Sequence, residues 1–382
     1  MKSNLTFHIY SSTKNIPVEW DTVASHNLFL SKDYLTVLDK AAPINMKCYF
    51  IGIFKNQDLV GVSLAQYINL TEVNSLGERD HCFKTLLKNF IFKRLISNVL
   101  IIGNNMLTGQ NCFQFSSKIS PSEGITQLNQ AAIALKSQLK KENKKIHLTV
   151  FKDFLLANAS LFDQPTFNSY YRFNTQPNMI FEIKSSWHTI NDYIGDLTKK
   201  YRDQYKRAQK KSDGITKRKL SLTEIEHYHQ RIYQLYHHVA RNAPFNTFYL
   251  SENHFETFKS QLKEQFLFYG YFLEEELIGF NTLIKNHEDF DTYFLGYDES
   301  FQKEKMLYLN MLYDMIGYSI KKKFKRIIFA RTALEIKSSV GATPVEMFGL
   351  IKHENYFLNL LMAKSFAYFE PKTIWQQRKP FK

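Results

Sequence analysis

An antiparallel hairpin pattern that occurs twice constrains this chain more than any other feature. CYFIGIFKNQDLVGVSLAQYI, residues 48–68, recurs in outline as FLFYGYFLEEELIGFNTLIK, residues 266–285. In each copy an aromatic-rich apolar run meets a polar turn, Asn56 to Asp58 or Glu274 to Glu276, and resumes as Leu-Val-Gly or Leu-Ile-Gly. Apolar runs of this kind around a short polar turn are the signature of paired strands. Gly61 and Gly279 hold matching places, and their separation far exceeds the roughly 20 to 50 residues of a solenoid repeat, so the pattern predicts a duplicated domain. A second echo is expected downstream of each hairpin, where a helix pattern leads into a short apolar strand, Asn98 to Ile102 in the first half and Arg326 to Ala330 in the second. The sequence therefore predicts an α+β fold of two related lobes, each a mixed β-sheet flanked by helices.

The length fits two lobes, because 382 residues exceed what one hydrophobic core usually organises. A hydrophobic share of 44% supplies the apolar surface to fill both. Cys48, Cys82 and Cys112 are odd in number and lack CxxC spacing, which argues against a disulfide framework and a zinc knuckle. The opening MKSNLTFHIYSS lacks the apolar core of a secretory signal. NFIFKRLISNVLII is broken by Lys93 and Arg94 and is shorter than the about 20 apolar residues of a membrane span. These features predict a cytoplasmic protein, with attachment to the inner face of the membrane the one departure the charge allows. The formal charge of +14 concentrates anionic partners near the surface without choosing among nucleic acid, anionic lipid and phosphorylated cofactors.

The second half reads as strands at Phe266–Leu273, Leu277–Lys285 and Phe290–Tyr297, a long helix at Phe301–Lys323, the strand Arg326–Ala330, and a helical turn from Thr332. Met306, Leu309, Leu312, Ile316 and Ile320 form a helical stripe that should pack on the sheet, with Ser300 as the expected N-cap. From Thr189 to Lys211 the spacing of Ile190, Ile194, Leu197, Tyr201 and Tyr205 predicts one basic amphipathic helix, stopped by Gly214. The expected division is an N-terminal lobe at 1–185, this helix as a linker at 186–214, and a C-terminal lobe at 215–382 that carries the active site.

The segment FDTYFLGYDESFQKEKMLYLNMLYDMIGYSIKKKFKRIIFARTALEIKSSVGATP resembles the C-terminal part of GNAT-superfamily acyltransferases in their Fem-like and BioF2-like branch. The matching outline is Tyr297-Asp298 at a strand end, a polar entry from Ser300 to Lys305, the strand Arg326–Ala330, and Lys337 followed by Gly341. The KKYRDQYKRAQKK helix resembles the basic helix that precedes the second domain in those families. The resemblance implies transfer of an acyl or aminoacyl group to an amine, from an acyl-CoA or other acyl thioester, or from an aminoacyl-tRNA. Phe301 to Met306 departs from the family, because it contains none of the glycines that grip the coenzyme A pyrophosphate in ordinary GNAT enzymes. A phosphorylated donor would then depend on Ser300, Lys303, Lys305 and the helix N-terminus, whose free amides favour anions.

Asp298, just past a strand end, is the candidate proton acceptor, with a turn or cap as its plain alternative. Lys337 is expected to contact donor or substrate, with Glu335 beside it as a catalytic candidate. Arg331, Tyr297 and Arg202 are substrate-binding candidates, against the plainer readings of a surface ion pair, core packing and a solvated helix face. His227 and His238 on one helix would stand about 16 Å apart, so no shared metal site is expected. No HExxH or GxSxG motif occurs. The leading expectation is an N-acyltransferase with an anionic donor and an amine-bearing acceptor. Its alternatives are a Fem-like enzyme that uses aminoacyl-tRNA to extend a peptidoglycan precursor, or a non-enzymatic protein that binds RNA or an anionic membrane surface on a degenerate GNAT fold. Stable DNA binding is not expected.

Overall fold

The computed structural model describes residues 5–72, 95–242, 246–362 and 375–382. The first half contributes strands β1 (Leu5–Tyr10), β2 (Met46–Lys55), β3 (Asp58–Asn69), β4 (Asn98–Ile102), β5 (Phe113–Phe115), β6 (Leu148–Leu155) and β7 (Tyr171–Asn174), with helices α1 (Lys32–Ala41) and α2 (Pro121–Lys141). The chain continues through β8 (Asn178–Glu182), α3 (Ile190–Asp196), α4 (Lys199–Lys211), β9 (Ile215–Lys219), α5 (Leu222–His227), α6 (His229–Arg241) and α7 (His254–Leu262). It then forms β10 (Phe266–Leu273), β11 (Glu276–Asn286), β12 (Asp289–Tyr297), α8 (Glu299–Lys305), α9 (Leu307–Lys321), β13 (Arg326–Ala330), α10 (Leu334–Ser339), β14 (Thr343–Val345), β15 (Met347–His353) and α11 (Tyr356–Leu360).

Two mixed sheets result, ordered β1-β2-β3-β4-β6-β15-β7 and β9-β10-β11-β12-β13-β8-β14, with β5 added on β3. In each, the fourth and fifth strands of the order are parallel, β4 with β6 and β12 with β13. This is the expected α+β architecture. The two hairpins match in detail. Ile53 pairs with Gly61 and Phe54 with Leu59, which leaves Val60 as a bulge; Tyr271 pairs with Gly279 and Phe272 with Leu277, which leaves Ile278 as one. Both bulged side chains are buried. Each glycine is required by close approach: a Cβ on Gly61 would lie 2.8 Å from Phe115, and one on Gly279 would lie 2.8 Å from Leu307.

The second echo aligns differently from the expectation. By place in the sheet, Asn98–Ile102 (β4) corresponds to β12, and Arg326–Ala330 (β13) corresponds to β6. Most of the helix pattern expected before Asn98 lies outside the described residues, as does Cys82.

Contiguous lobes also give way to a discontinuous division. One compact unit comprises Met1–Thr175, Pro244–His254 and Glu346–Lys372; the other comprises Gln176–Ala243, Phe255–Val345 and Thr373–Lys382. The cause is a reciprocal exchange of strands. After β7 the chain leaves the first sheet and β8 enters the second between β13 and β14; after β14 it returns, and β15 enters the first between β6 and β7. The basic helix region expected as a linker is part of the second unit.

Within the second unit, α9 covers one face of the sheet, where Leu307, Met311, Leu312 and Ile316 pack with Leu267, Ile278, Leu283, Phe290 and Ile327. The opposite face carries Phe268 and Phe280, stacked with centroids 4.9 Å apart, against Phe255. Two helices read as continuous are broken. The Thr189–Lys211 pattern splits into α3 and α4 at Leu197 and Thr198, both extended, where Thr198 N donates to Pro380 O at 2.8 Å. Tyr201 and Leu197 are buried as expected, and Lys206 is exposed. The Phe301–Lys323 pattern splits into α8 and α9 at Met306, which adopts a left-handed φ of 49°. Gly214, with φ 82°, follows α4 as the expected stop.

Candidate active site

The parallel ladder between β12 and β13 is short. It covers Asp289–Asp291 against Arg326–Ile328 and then stops. Beyond it, β12 follows β11 to Tyr297 through a bulge, since Asn281 pairs with Leu295 but Leu283 with Thr292. β13 ends at Ala330, with φ 58°, and the chain stays left-handed at Thr332 and Ala333, with φ 66° and 47°. Non-glycine residues in this region carry strain, and such strain gathers at functional sites. The sheet therefore forks where β12 and β13 part.

Lys337 lies at the root of that fork. It follows the strained turn on α10 and is only 4% exposed. Its Nζ donates to the carbonyls of Arg331 at 2.5 Å and Ala330 at 3.3 Å. It forms no ion pair with a described carboxylate, and burial pushes its ammonium down to about 7. An amine in that state uses two hydrogens on the two carbonyls and keeps a lone pair able to accept a proton. Arg331 shares the strand end, with Nε donating to Gln176 O at 3.1 Å.

The other expected residues have plainer roles. Asp298, rather than Ser300, is the N-cap of α8, and it accepts from Ser300 N at 3.1 Å and Ser300 Oγ at 2.6 Å. Its second oxygen pairs with Arg231 at 3.0 Å. Burial pulls its carboxyl upward, but the Ser300 hydroxyl and amide and the Arg231 guanidinium outweigh it and hold the group below the ordinary carboxylate range. A carboxylate so held is a poor proton acceptor, and it places an anion on the α8 terminus where a donor phosphate was expected. Lys303 is exposed, and Lys305 donates to Asp213 O at 3.3 Å. Tyr297 is partly buried against the α9 Tyr308 ring, at 6.4 Å. Glu335 pairs with Arg378 at 2.9 Å and accepts from Gln376 N, contacts that fasten the C-terminal segment. Arg202 donates to Leu197 O at 2.7 Å, which ties α4 to the break before it. Asp298 and Lys337 share no partner among the described residues.

Two residues at the fork carry no sequence signal. Asn178 begins β8 beside the Met179–Ala330 pair, with a buried Oδ1 that has no hydrogen-bond partner. Asp291 lies on the last parallel pair, with a buried Oδ2 also without one, and burial followed by the neighbouring Asp289 pushes its carboxyl up to about 7. Their burial is tertiary and leaves no mark in a local pattern. No cluster of three or more His, Cys, Asp or Glu side chains able to hold a metal occurs among the described residues. No helix among them is long and apolar enough to cross a membrane.

Two mixed sheets of matching strand order, each with a parallel fourth and fifth strand, make a two-lobed fold like that of FemX and of a tandem GNAT protein. The chain is similar to FemX, at 11% identity over 94% of this chain and 99% of that one, with a TM-score of 0.51. It is similar to a tandem GNAT protein from the clavulanic acid biosynthesis pathway, at 8% identity over 92% and 99%, with a TM-score of 0.52. A conserved protein of unknown function from Bacteroides thetaiotaomicron aligns at 11% identity over 91% and 100%, with a TM-score of 0.51. At these identities the likeness is one of fold. No family model and no curated protein sequence matches the chain.

Proposed function

We propose that this protein is an N-acyltransferase that moves an acyl or aminoacyl group from an activated donor to an amine at the fork of the second sheet. The observation that carries the reading is Lys337, a buried lysine without a carboxylate partner among the described residues, poised near neutrality beside a strained strand end. Perturbed groups in such surroundings mark functional sites. In this reading the acceptor amine attacks the donor carbonyl, its nitrogen forms the new C–N bond, and its proton passes to Lys337 Nζ. The carbon–sulfur or carbon–oxygen bond to the leaving group then breaks, and the ammonium of Lys337 returns the proton to the departing atom. Asp298, the earlier candidate for this proton, serves as a cap.

The donor we favour is carried on a macromolecule, such as an aminoacyl-tRNA or an acyl carrier protein, rather than on free coenzyme A. In the first turn of α9, Tyr308 N already donates to Gln302 Oε1 at 2.8 Å, which removes an amide that a pyrophosphate could use. Lys199, Lys200, Lys206, Arg207, Lys210 and Lys211 are exposed on α4 and form no ion pairs with described residues, a surface suited to a polyanion. The test supplies labelled acyl-CoAs, acyl carrier proteins and aminoacyl-tRNAs with a panel of amines. Turnover with one donor class is expected, rising with pH through about 7, and Lys337→Met should lose it. Full activity of Lys337→Met with the productive donor would remove Lys337 from the chemistry.

A further inference from the structure

α11 and the residue after it are built inside out. Tyr356, Phe357, Leu360 and Leu361 are 69%, 75%, 61% and 52% exposed. Their spacing of one, four and five places them on one side of a helix. The side that faces the protein is fastened by a polar residue: Asn359 accepts from His353 N at 2.8 Å and donates to Ser169 O at 2.8 Å. A surface helix ordinarily shows the reverse arrangement, with its apolar stripe inward. Apolar residues gathered on one exposed face mark an interaction surface.

Charge beside this face identifies what it meets. Glu354 N, at the start of the turn into α11, donates to His147 O at 2.8 Å. That contact brings the end of α2 alongside, with Lys140, Lys141 and Lys145 exposed and without ion pairs among the described residues. Lys352 lines a groove of about 510 Å³ with Tyr170, Tyr171 and Tyr356. An apolar and aromatic face with Lys352 in its groove and lysines on the neighbouring end of α2 has the chemistry of the interface of an anionic bilayer, where rings and leucines enter the headgroup boundary and lysines meet lipid phosphates. We infer that this face of the first unit docks on an anionic lipid bilayer through Tyr356, Phe357, Leu360 and Leu361, with Lys140, Lys141, Lys145 and Lys352 against the headgroups.

The experiment is co-sedimentation of the full chain with phosphatidylglycerol-containing vesicles and with pure phosphatidylcholine vesicles, at low and high salt. Wild type should partition onto the anionic vesicles, less so at high salt. Phe357→Asp with Leu360→Asp should lower that partition by about tenfold or more. Lys140→Glu with Lys145→Glu should remove the preference for anionic vesicles. Because all four side chains are exposed, the variants should melt as wild type does, and a melt run alongside separates lost binding from lost folding. The inference is overturned if wild type ignores both vesicles or if the aspartates leave partition unchanged. It is also overturned if wild type is a dimer in sedimentation that the aspartates dissociate, since a second copy would then cover the face.

Discussion

Lys337→Met should stabilise the protein below neutral pH while removing its activity. A displacement of the ammonium from 10.5 to about 7 corresponds to roughly 5 kcal/mol of burial cost at low pH. Below about pH 7 the folded and unfolded chains both carry the charge, so the cost is present in full. Between about 7 and 10.5 the unfolded chain binds a proton that the folded chain lacks, and stability rises with pH until the cost is gone. Methionine keeps much of the side-chain volume and has no charge to bury, but it gives up the two hydrogen bonds to Ala330 and Arg331, about 1 kcal/mol each. The net gain at pH 6 is about 2–3 kcal/mol, or roughly 5 to 10 °C in the melting temperature of a unit this size. By pH 10 the advantage should vanish or reverse. Thermal melts of both proteins from pH 6 to 10 read this directly. A variant less stable than wild type at pH 6, or a difference that stays level across the range, would mean that Lys337 keeps its charge with a partner, and the argument for a neutral amine at the fork would fall.

Asp298→Asn should keep the cap, since asparagine also accepts from the Ser300 amide, and should lose only a partly exposed ion pair with Arg231 worth under about 1 kcal/mol. Turnover should stay within about threefold of wild type, whereas a general base lost from this position would lower it by about 10²- to 10⁴-fold. Gly296→Ala should destabilise the second unit by roughly 2–3 kcal/mol in denaturant unfolding, because the added Cβ would lie 2.5 Å from the backbone carbon of Leu235 and 2.6 Å from the backbone nitrogen of Tyr236, which cannot rotate aside. An unchanged midpoint would show that α6 can lift off β12 freely.

The fold was legible where one local pattern repeats. The hairpins could be matched from Gly61 and Gly279 because each glycine follows a bulge and faces a side chain that leaves no room for a Cβ. The exchange of β8 and β15 could not be read, because β7 with β8, and β14 with β15, are short neighbouring strands whose sequences do not say which sheet each joins. The helix breaks at Thr198 and Met306 were hidden for a related reason. Their apolar stripes continue across the break, and the cause lies in a hydrogen bond to Pro380 in one case and a left-handed methionine in the other. At the site, Lys337 was visible by its place after β13, but the lack of a carboxylate partner among the described residues was not. Asp298 read as a base because capping and proton transfer call for the same residue at a strand end, and the ion pair with Arg231 from α6, which joins Ser300 in holding the carboxyl down, leaves no mark in the local sequence.

The duplicated backbone carries different side chains in its two copies. Two residues beyond the last parallel pair, the first sheet places Asp153 and the second places Ala330, and both are left-handed, with φ 68° and 58°. Both positions adjoin a shift in register, against β15 in one sheet and β8 in the other. The backbone at the two forks is thus built alike, and the side chains are not. In the first unit Lys152 reaches Asp153 at 3.5 Å and Asn105 at 3.3 Å, and Asn105 N donates to Gln66 at 2.6 Å, so the buried cation is compensated within a polar network. In the second unit the buried cation is Lys337, held among the described residues by two carbonyls. Burial pushes the Lys337 ammonium down, and no described carboxylate stands beside it as Asp153 stands beside Lys152. The same left-handed turn therefore adjoins a lysine with a carboxylate beside it in one unit and a lysine bonded to backbone carbonyls in the other.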